Sequence, residues 1–168
     1  MHAPILGSLS LAWPDEAACA ACAQALAACP ALRDALIELD GPLGAGKTSF
    51  TRHLLRALGV AGRIKSPSYA VVEPHAWTGA DGRPQQAWHF DFFRFGDPRE
   101  WEDAGLRELF AGPGLKLVEW PALAGPERPV CDLRLRLAPG ADDGARRVQA
   151  EACSPLGLQL IDALRPAA

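Results

Sequence analysis

The sequence predicts a single α/β domain over residues 1–168, built around a phosphate-binding loop and closed by a C-terminal antiparallel hairpin. Three observations predict it. Ala35-Leu36-Ile37-Glu38-Leu39 reads as a buried strand, Gly41-Pro42-Leu43-Gly44-Ala45-Gly46-Lys47-Thr48 fits G-x-x-x-x-G-K-[ST], and Ser49 to Leu58 reads as a helix stopped by Gly59. Further short apolar runs and helix-period segments fill the rest of the chain. Near the C-terminus Leu133, Leu135 and Leu137 alternate with Arg134 and Arg136, Asp142-Asp143-Gly144 turns, and Arg147 to Ala152 returns.

In chain order, residues 1–12 begin irregular or as an edge strand. Trp13-Pro14-Asp15-Glu16 has the acids of a helix start, and that helix runs to about Ala28, before Pro30. The strand at 35–39 and the helix at 49–58, with Phe50, Leu54, Leu55 and Leu58 on one face, follow. Tyr69-Ala70-Val71-Val72 reads as a strand. Asp81-Gly82 signals a hairpin turn, and Gln86 to Phe93 returns as its antiparallel partner. Pro98 to Phe110 reads as a helix with Trp101, Leu106, Leu109 and Phe110 inward, broken by Gly112-Pro113-Gly114. Leu115 to Val118 is another strand, and Pro155 to Leu164 a closing helix.

Composition narrows the function classes. Hydrophobic residues make up 49% and charged residues 22%, as in a water-soluble globular domain. No apolar run reaches membrane-span length, and no basic-then-apolar leader opens the chain, so a cytoplasmic protein is expected. The net charge of -3 argues against a dominant non-specific grip on nucleic acid. Cys19 and Cys22 form C-x-x-C, but a zinc site wants a second pair, and the spacing places both on one helical face as small apolar groups. Buried thiols are the expectation.

The loop carries the chemistry. Its glycines let the backbone wrap phosphate oxygens, its N–H groups point inward, and the following helix adds its N-terminal partial charge. The expected nucleotide-contacting residues are Gly41, Leu43, Gly44, Ala45, Gly46, Lys47, Thr48 and Ser49. Lys47 would bridge the β- and γ-phosphates, and the Thr48 hydroxyl would ligate Mg²⁺. A loop of this type also needs an acid at the end of a neighbouring strand. Glu119, after Leu115-Lys116-Leu117-Val118, and Asp91, after Trp88-His89-Phe90, both fit as metal ligand or water-orienting group. His89 is read as structural and facing away from Asp91. Trp120 is read equally as packing or as a functional surface. Lys65, Ser66 and Ser68 form a polar loop where a γ-phosphate sensor would sit, and Arg134, Arg136, Arg146 and Arg147 read as a solvated hairpin face.

With these segments in hand, the chain resembles the TsaE (YjeE) family, small P-loop ATPases of bacterial tRNA threonylcarbamoyladenosine synthesis. The resemblance is carried by Leu39 to Thr48, Ile64-Lys65-Ser66-Pro67-Ser68-Tyr69 with Val72-Glu73-Pro74, His89-Phe90-Asp91-Phe92-Phe93-Arg94, and Leu117-Val118-Glu119-Trp120-Pro121. It implies a three-layer fold of P-loop NTPase type with a mixed sheet, Mg²⁺-ATP in the loop, and slow hydrolysis. It implies Thr48 and Glu119 at the metal, Asp91 near the γ-phosphate, and a nucleotide-responsive Ser66-to-Tyr69 segment. Catalysis would then rest on Lys47, Asp91 and Glu119. Ser68 stands where the family has threonine, and Phe93 where it has tyrosine, so Phe93 lacks one hydroxyl. The implied partners are a TsaB–TsaD-like protein complex and, through it, tRNA; no membrane is implied.

The alternative from another class is a P-loop small-molecule kinase, but the arginines sit on an alternating strand and suit a lid poorly. A GTPase switch is weaker, because the chain has no asparagine for an Asn-Lys-x-Asp guanine reader.

Overall fold

The computed structural model describes residues 4–67, 71–94, 97, 99–100 and 105–166. In chain order the elements are β1 (Gly7–Trp13), α1 (Glu16–Ala27), β2 (Leu36–Asp40), α2 (Lys47–Leu58), β3 (Val72–Thr78), β4 (Pro84–Asp91), α3 (Leu106–Ala111), β5 (Leu115–Glu119), β6 (Leu133–Pro139), β7 (Arg146–Ala152) and α4 (Pro155–Leu164). The strands form one mixed sheet in the order β1-β7-β6-β2-β5-β4-β3. Its centre, β6-β2-β5-β4, is parallel. Antiparallel additions flank it, β7 and β1 on one side and β3 on the other. The expected C-terminal hairpin is β6–β7.

Period-two alternation sorts the side chains. Ile37 and Leu39 of β2, Leu117 of β5, Leu133, Leu135 and Leu137 of β6 and Val148 of β7 face α1, α2 and α4 in the larger core. There Phe50 is fully buried and stacks on Trp13 with ring centroids 5.5 Å apart, a contact whose burial contributes about 2–3 kcal/mol. Asp15 caps α1 by accepting the Ala18 N–H at 2.9 Å, and the Ser154 hydroxyl caps α4. The second face holds a smaller core, in which Phe90, Phe92, Val118 and Leu36 pack with Leu106, Leu109, Phe110 and Ala124. Among the described residues, no helix is long and apolar enough to cross a membrane.

Two elements differ from the sequence reading. The strand expected at 69–72 runs instead from Val72 to Thr78, and residues 68–70 lie outside the described residues. Polar Glu73 and His75 and the proline at 74 hide its signal. β3 is an edge strand, where proline can take a position that donates no ladder bond. Of the helix expected over 98–110, Glu100 is helical and Leu106–Ala111 forms α3, while Pro98 and residues 101–104, Trp101 among them, lie outside the described residues. Gly105 precedes α3 at φ 69°, a left-handed conformation that cannot continue an α-helix from before.

Candidate functional site

The site forms where β2, β4 and β5 end beside the start of α2. Leaving β2 at Asp40, the chain turns through Gly41 at φ 153°, where a Cβ would lie 2.5 Å from the Leu137 carbonyl oxygen, so only glycine fits. Leu43 is 75% exposed at the loop tip, and Ala45 is buried beneath it. Gly46 leads into α2, whose first residues are Lys47, Thr48 and Ser49.

Lys47 is buried, and its ammonium donates to the carbonyls of Gly41 and, at 3.1 Å, Pro42. It also lies 3.8 Å from the centroid of the Trp120 ring, within cation–π range. Burial lowers the Lys47 pKa from the usual lysine value, and Glu119, Asp40 and Asp91 partly oppose that shift. Trp120 holds φ 56°, the only positive φ at a non-glycine position among the described residues. A strained backbone of this kind is usually kept in place by a local function or by packing. Here Trp120 also packs against Phe93, with centroids 5.0 Å apart and Phe93 51% exposed.

The two strand-end acids lie on adjacent strands at the end of the sheet that carries the loop. Asp91 and Glu119 are register partners on adjacent strands, so both side chains leave the same sheet face, toward α2. Thr48 Oγ1 donates to the Glu119 carboxylate, 3.0 and 3.3 Å from its two oxygens, across 71 residues of sequence. Burial raises the Asp91 pKa; its hydrogen bond from the Phe93 N–H opposes this, and nearby Glu119 adds to it. One hydroxyl and two carboxylates form an all-oxygen donor set, the type that suits Mg²⁺.

Two expectations about this neighbourhood are corrected. Residues 89 and 91 are two apart on β4, so His89 shares the Asp91 face. Its Nε2 lies 2.5 Å from Glu119 Oε2, with both residues buried. The spacing alone was the signal that could have placed it there. The hairpin arginines are only partly a solvated face: Arg136 and Arg147 are exposed, whereas Arg134 and Arg146 are partly buried. Arg134 pairs with Glu38 at 3.1 Å, Arg136 with Glu151 at 2.9 Å and Asp40 at 3.3 Å, and Arg128 with Glu38 at 2.7 Å. Glu38, a charged residue inside an apolar strand, was the sequence signal for buried partners. Arg146 reaches the loop itself, donating to Ala45 O at 2.8 Å and Gly44 O at 3.1 Å. No local pattern announces that contact, because it joins segments about a hundred residues apart.

Of the remaining readings, Ser66 Oγ accepts from Arg52 at 3.4 Å, whereas Ser68 and Tyr69 lie outside the described residues. The cysteines are free thiols. Cys19 is buried and Cys22 partly so, and burial pushes their pKa values up to about 12 and about 11.

A glycine loop between a parallel strand and a helix N-terminus, facing acids on the neighbouring strands, defines the P-loop class of α/β proteins. Within that class the chain belongs to the TsaE family. The family model described as threonylcarbamoyl adenosine biosynthesis protein TsaE matches residues 13–148. The tRNA threonylcarbamoyladenosine biosynthesis protein TsaE of Haemophilus influenzae is 34% identical over 128 residues, covering 76% of this chain and 77% of its own. That of Streptomyces coelicolor is 36% identical over 123 residues, 73% of this chain and 80% of its own. The crystal structure of Bacillus subtilis YdiB superposes with a TM-score of 0.70 at 27% identity over 94% of each chain.

Proposed function

We propose that this protein binds Mg²⁺-ATP in the loop 41–48, hydrolyses it slowly alone, and serves tRNA threonylcarbamoyladenosine synthesis through a TsaB–TsaD-like complex. The observation that carries the nucleotide reading is the Thr48–Glu119 contact, which joins the loop hydroxyl to a strand-end carboxylate with Asp91 alongside. The names of the TsaE relatives support the pathway.

Each residue then has a task. The N–H groups from Leu43 to Ser49 cradle phosphate oxygens at the start of α2. Lys47 leaves the Gly41 and Pro42 carbonyls to meet the β- and γ-phosphates. Arg146 holds the Gly44 and Ala45 carbonyls outward, which keeps the loop open for an anion. Thr48, Glu119 and Asp91 hold the cation, and Asp91 orients water. Bound Mg²⁺ would neutralise charge on the phosphates.

Phosphate release tests this with the protein alone, with tRNA, with a TsaB–TsaD-like complex, and with both. Slow turnover alone and stimulation by the complex are expected. Stimulation by tRNA alone would refute partner gating, and fast turnover with a small-molecule acceptor would favour the kinase.

A further inference from the structure

His89 is 1% exposed on β4, and its two ring nitrogens have unequal surroundings. Nε2 meets the Glu119 carboxylate at 2.5 Å, whereas Nδ1 is buried and makes no hydrogen bond among the described residues. The Glu119 carboxylate already accepts from Thr48, and the Nε2–H tautomer of His89 gives it a second donor. A histidine kept for packing alone would leave a buried nitrogen unpaired with no return, a cost an apolar residue avoids.

We propose that His89 is the positioning residue of Glu119, fixing its carboxylate toward Thr48 and toward a divalent cation held there. This rests on the proposed role of Glu119 at the metal. Glutamate has three rotatable side-chain bonds, and its carboxylate must face the loop before a cation arrives. Three elements converge to hold it: β5 supplies Glu119, α2 supplies the Thr48 donor, and β4 supplies the His89 donor. A cation would take a lone pair of Thr48 Oγ1, and the rotatable hydroxyl could keep or lose its bond to Glu119. The His89 donor sits on a buried ring with no ligand role toward the cation, so it supplies a fixed second hold on the Glu119 carboxylate. Groups that hold a metal-facing carboxylate typically contribute about 10–100-fold to metal affinity.

The test compares the parent with His89→Ala, His89→Gln and Glu119→Gln. A fluorescent ADP analogue reports nucleotide binding, first in EDTA and then across a Mg²⁺ titration. His89→Ala should raise the Mg²⁺ half-saturation by about 10-fold or more while leaving binding in EDTA unchanged. His89→Gln, which places an amide N–H near the Nε2 position, should recover most of that loss, an outcome that packing alone would not give. If Glu119→Gln shifts the Mg²⁺ dependence and His89→Ala does not, the positioning role falls and the metal role of Glu119 stands. If Glu119→Gln has no effect either, both fall. Should His89→Ala fail to fold, NMR of the parent decides: a slowly exchanging imidazole Nε2–H that loses protection in Glu119→Ala supports the proposal, and its absence from the parent overturns it.

Discussion

The Lys47 ammonium lies 3.8 Å from the centre of the Trp120 ring while donating to the carbonyls of Gly41 and Pro42. The group expected to meet phosphate is therefore turned toward its own loop. On the proposed function, a nucleotide would draw it off three partners, and the buried ammonium would gain a charged acceptor in the exchange. Lys47→Ala should weaken Mg²⁺-ATP binding by roughly 10–100-fold, the magnitude of losing a hydrogen bond to a charged group. The fold should survive, because the apolar core face of α2 rests on Phe50, Leu54 and Leu55. Calorimetric titration and circular dichroism check the two halves. Unchanged affinity would sink the assignment of the loop.

Asp91 makes stability depend on pH. Its raised pKa, caused first by burial, means the folded chain holds a proton between the usual carboxylate range and the raised value, where the unfolded chain has released it. Stability contributed by this group therefore falls as pH rises through that window and stays lower above it. Asn keeps an oxygen for the Phe93 N–H and carries no charge. In EDTA, Asp91→Asn should melt above the parent at neutral pH, with the gain shrinking as pH falls through the window. Its ATP turnover should drop. Melting curves from acid to neutral pH decide this, and a variant less stable at every pH would contradict it.

Glu38 should matter far more for stability than the exposed charges near it. Its carboxylate is buried, and removing it leaves Arg128, 23% exposed, without its acid and Arg134, 18% exposed, with only Glu151 at 3.6 Å. Glu38→Ala should cost about 3 kcal/mol, toward the lower end for a broken buried pair because both arginines retain some water. Arg136→Ala removes pairs from a side chain 49% exposed and should cost about 1 kcal/mol or less. Urea denaturation of both variants measures the contrast, and equal losses would show that Glu38 is not the hub.

Arg146→Met should lower nucleotide affinity by about 10-fold, the loss of one or two hydrogen bonds that shape the loop. Arg146→Lys should recover little, since one ammonium cannot reproduce the two-pronged contact to Gly44 and Ala45. Titration with the fluorescent ADP analogue reads both, and parental affinity in Arg146→Met would remove Arg146 from the site.

Much of the molecule was legible because its signals are local. The glycine spacing, the apolar strand before it and the helical face after it needed only neighbours in sequence. So did the acids closing Leu115-to-Glu119 and Trp88-to-Asp91, and the alternating hairpin. The edge strand at 72–78 was less legible, because an exposed strand needs few apolar residues to be held in place. The helix expected over 98–110 is interrupted at Gly105, because helical spacing says nothing about a left-handed glycine there.

The sequence by itself determined the class of fold, the glycine loop before α2, and which carboxylates could face it, since each depends on residue type and short-range period. Tertiary structure alone decided how these parts meet. It set Asp91 opposite Glu119, brought Thr48 to Glu119, aimed His89 at the same carboxylate, and carried Arg146 across the sheet to the loop. Those contacts span 28 to 102 residues. Strand order and register fix them, and both are set by how the whole sheet buries its two faces, which no window of sequence contains.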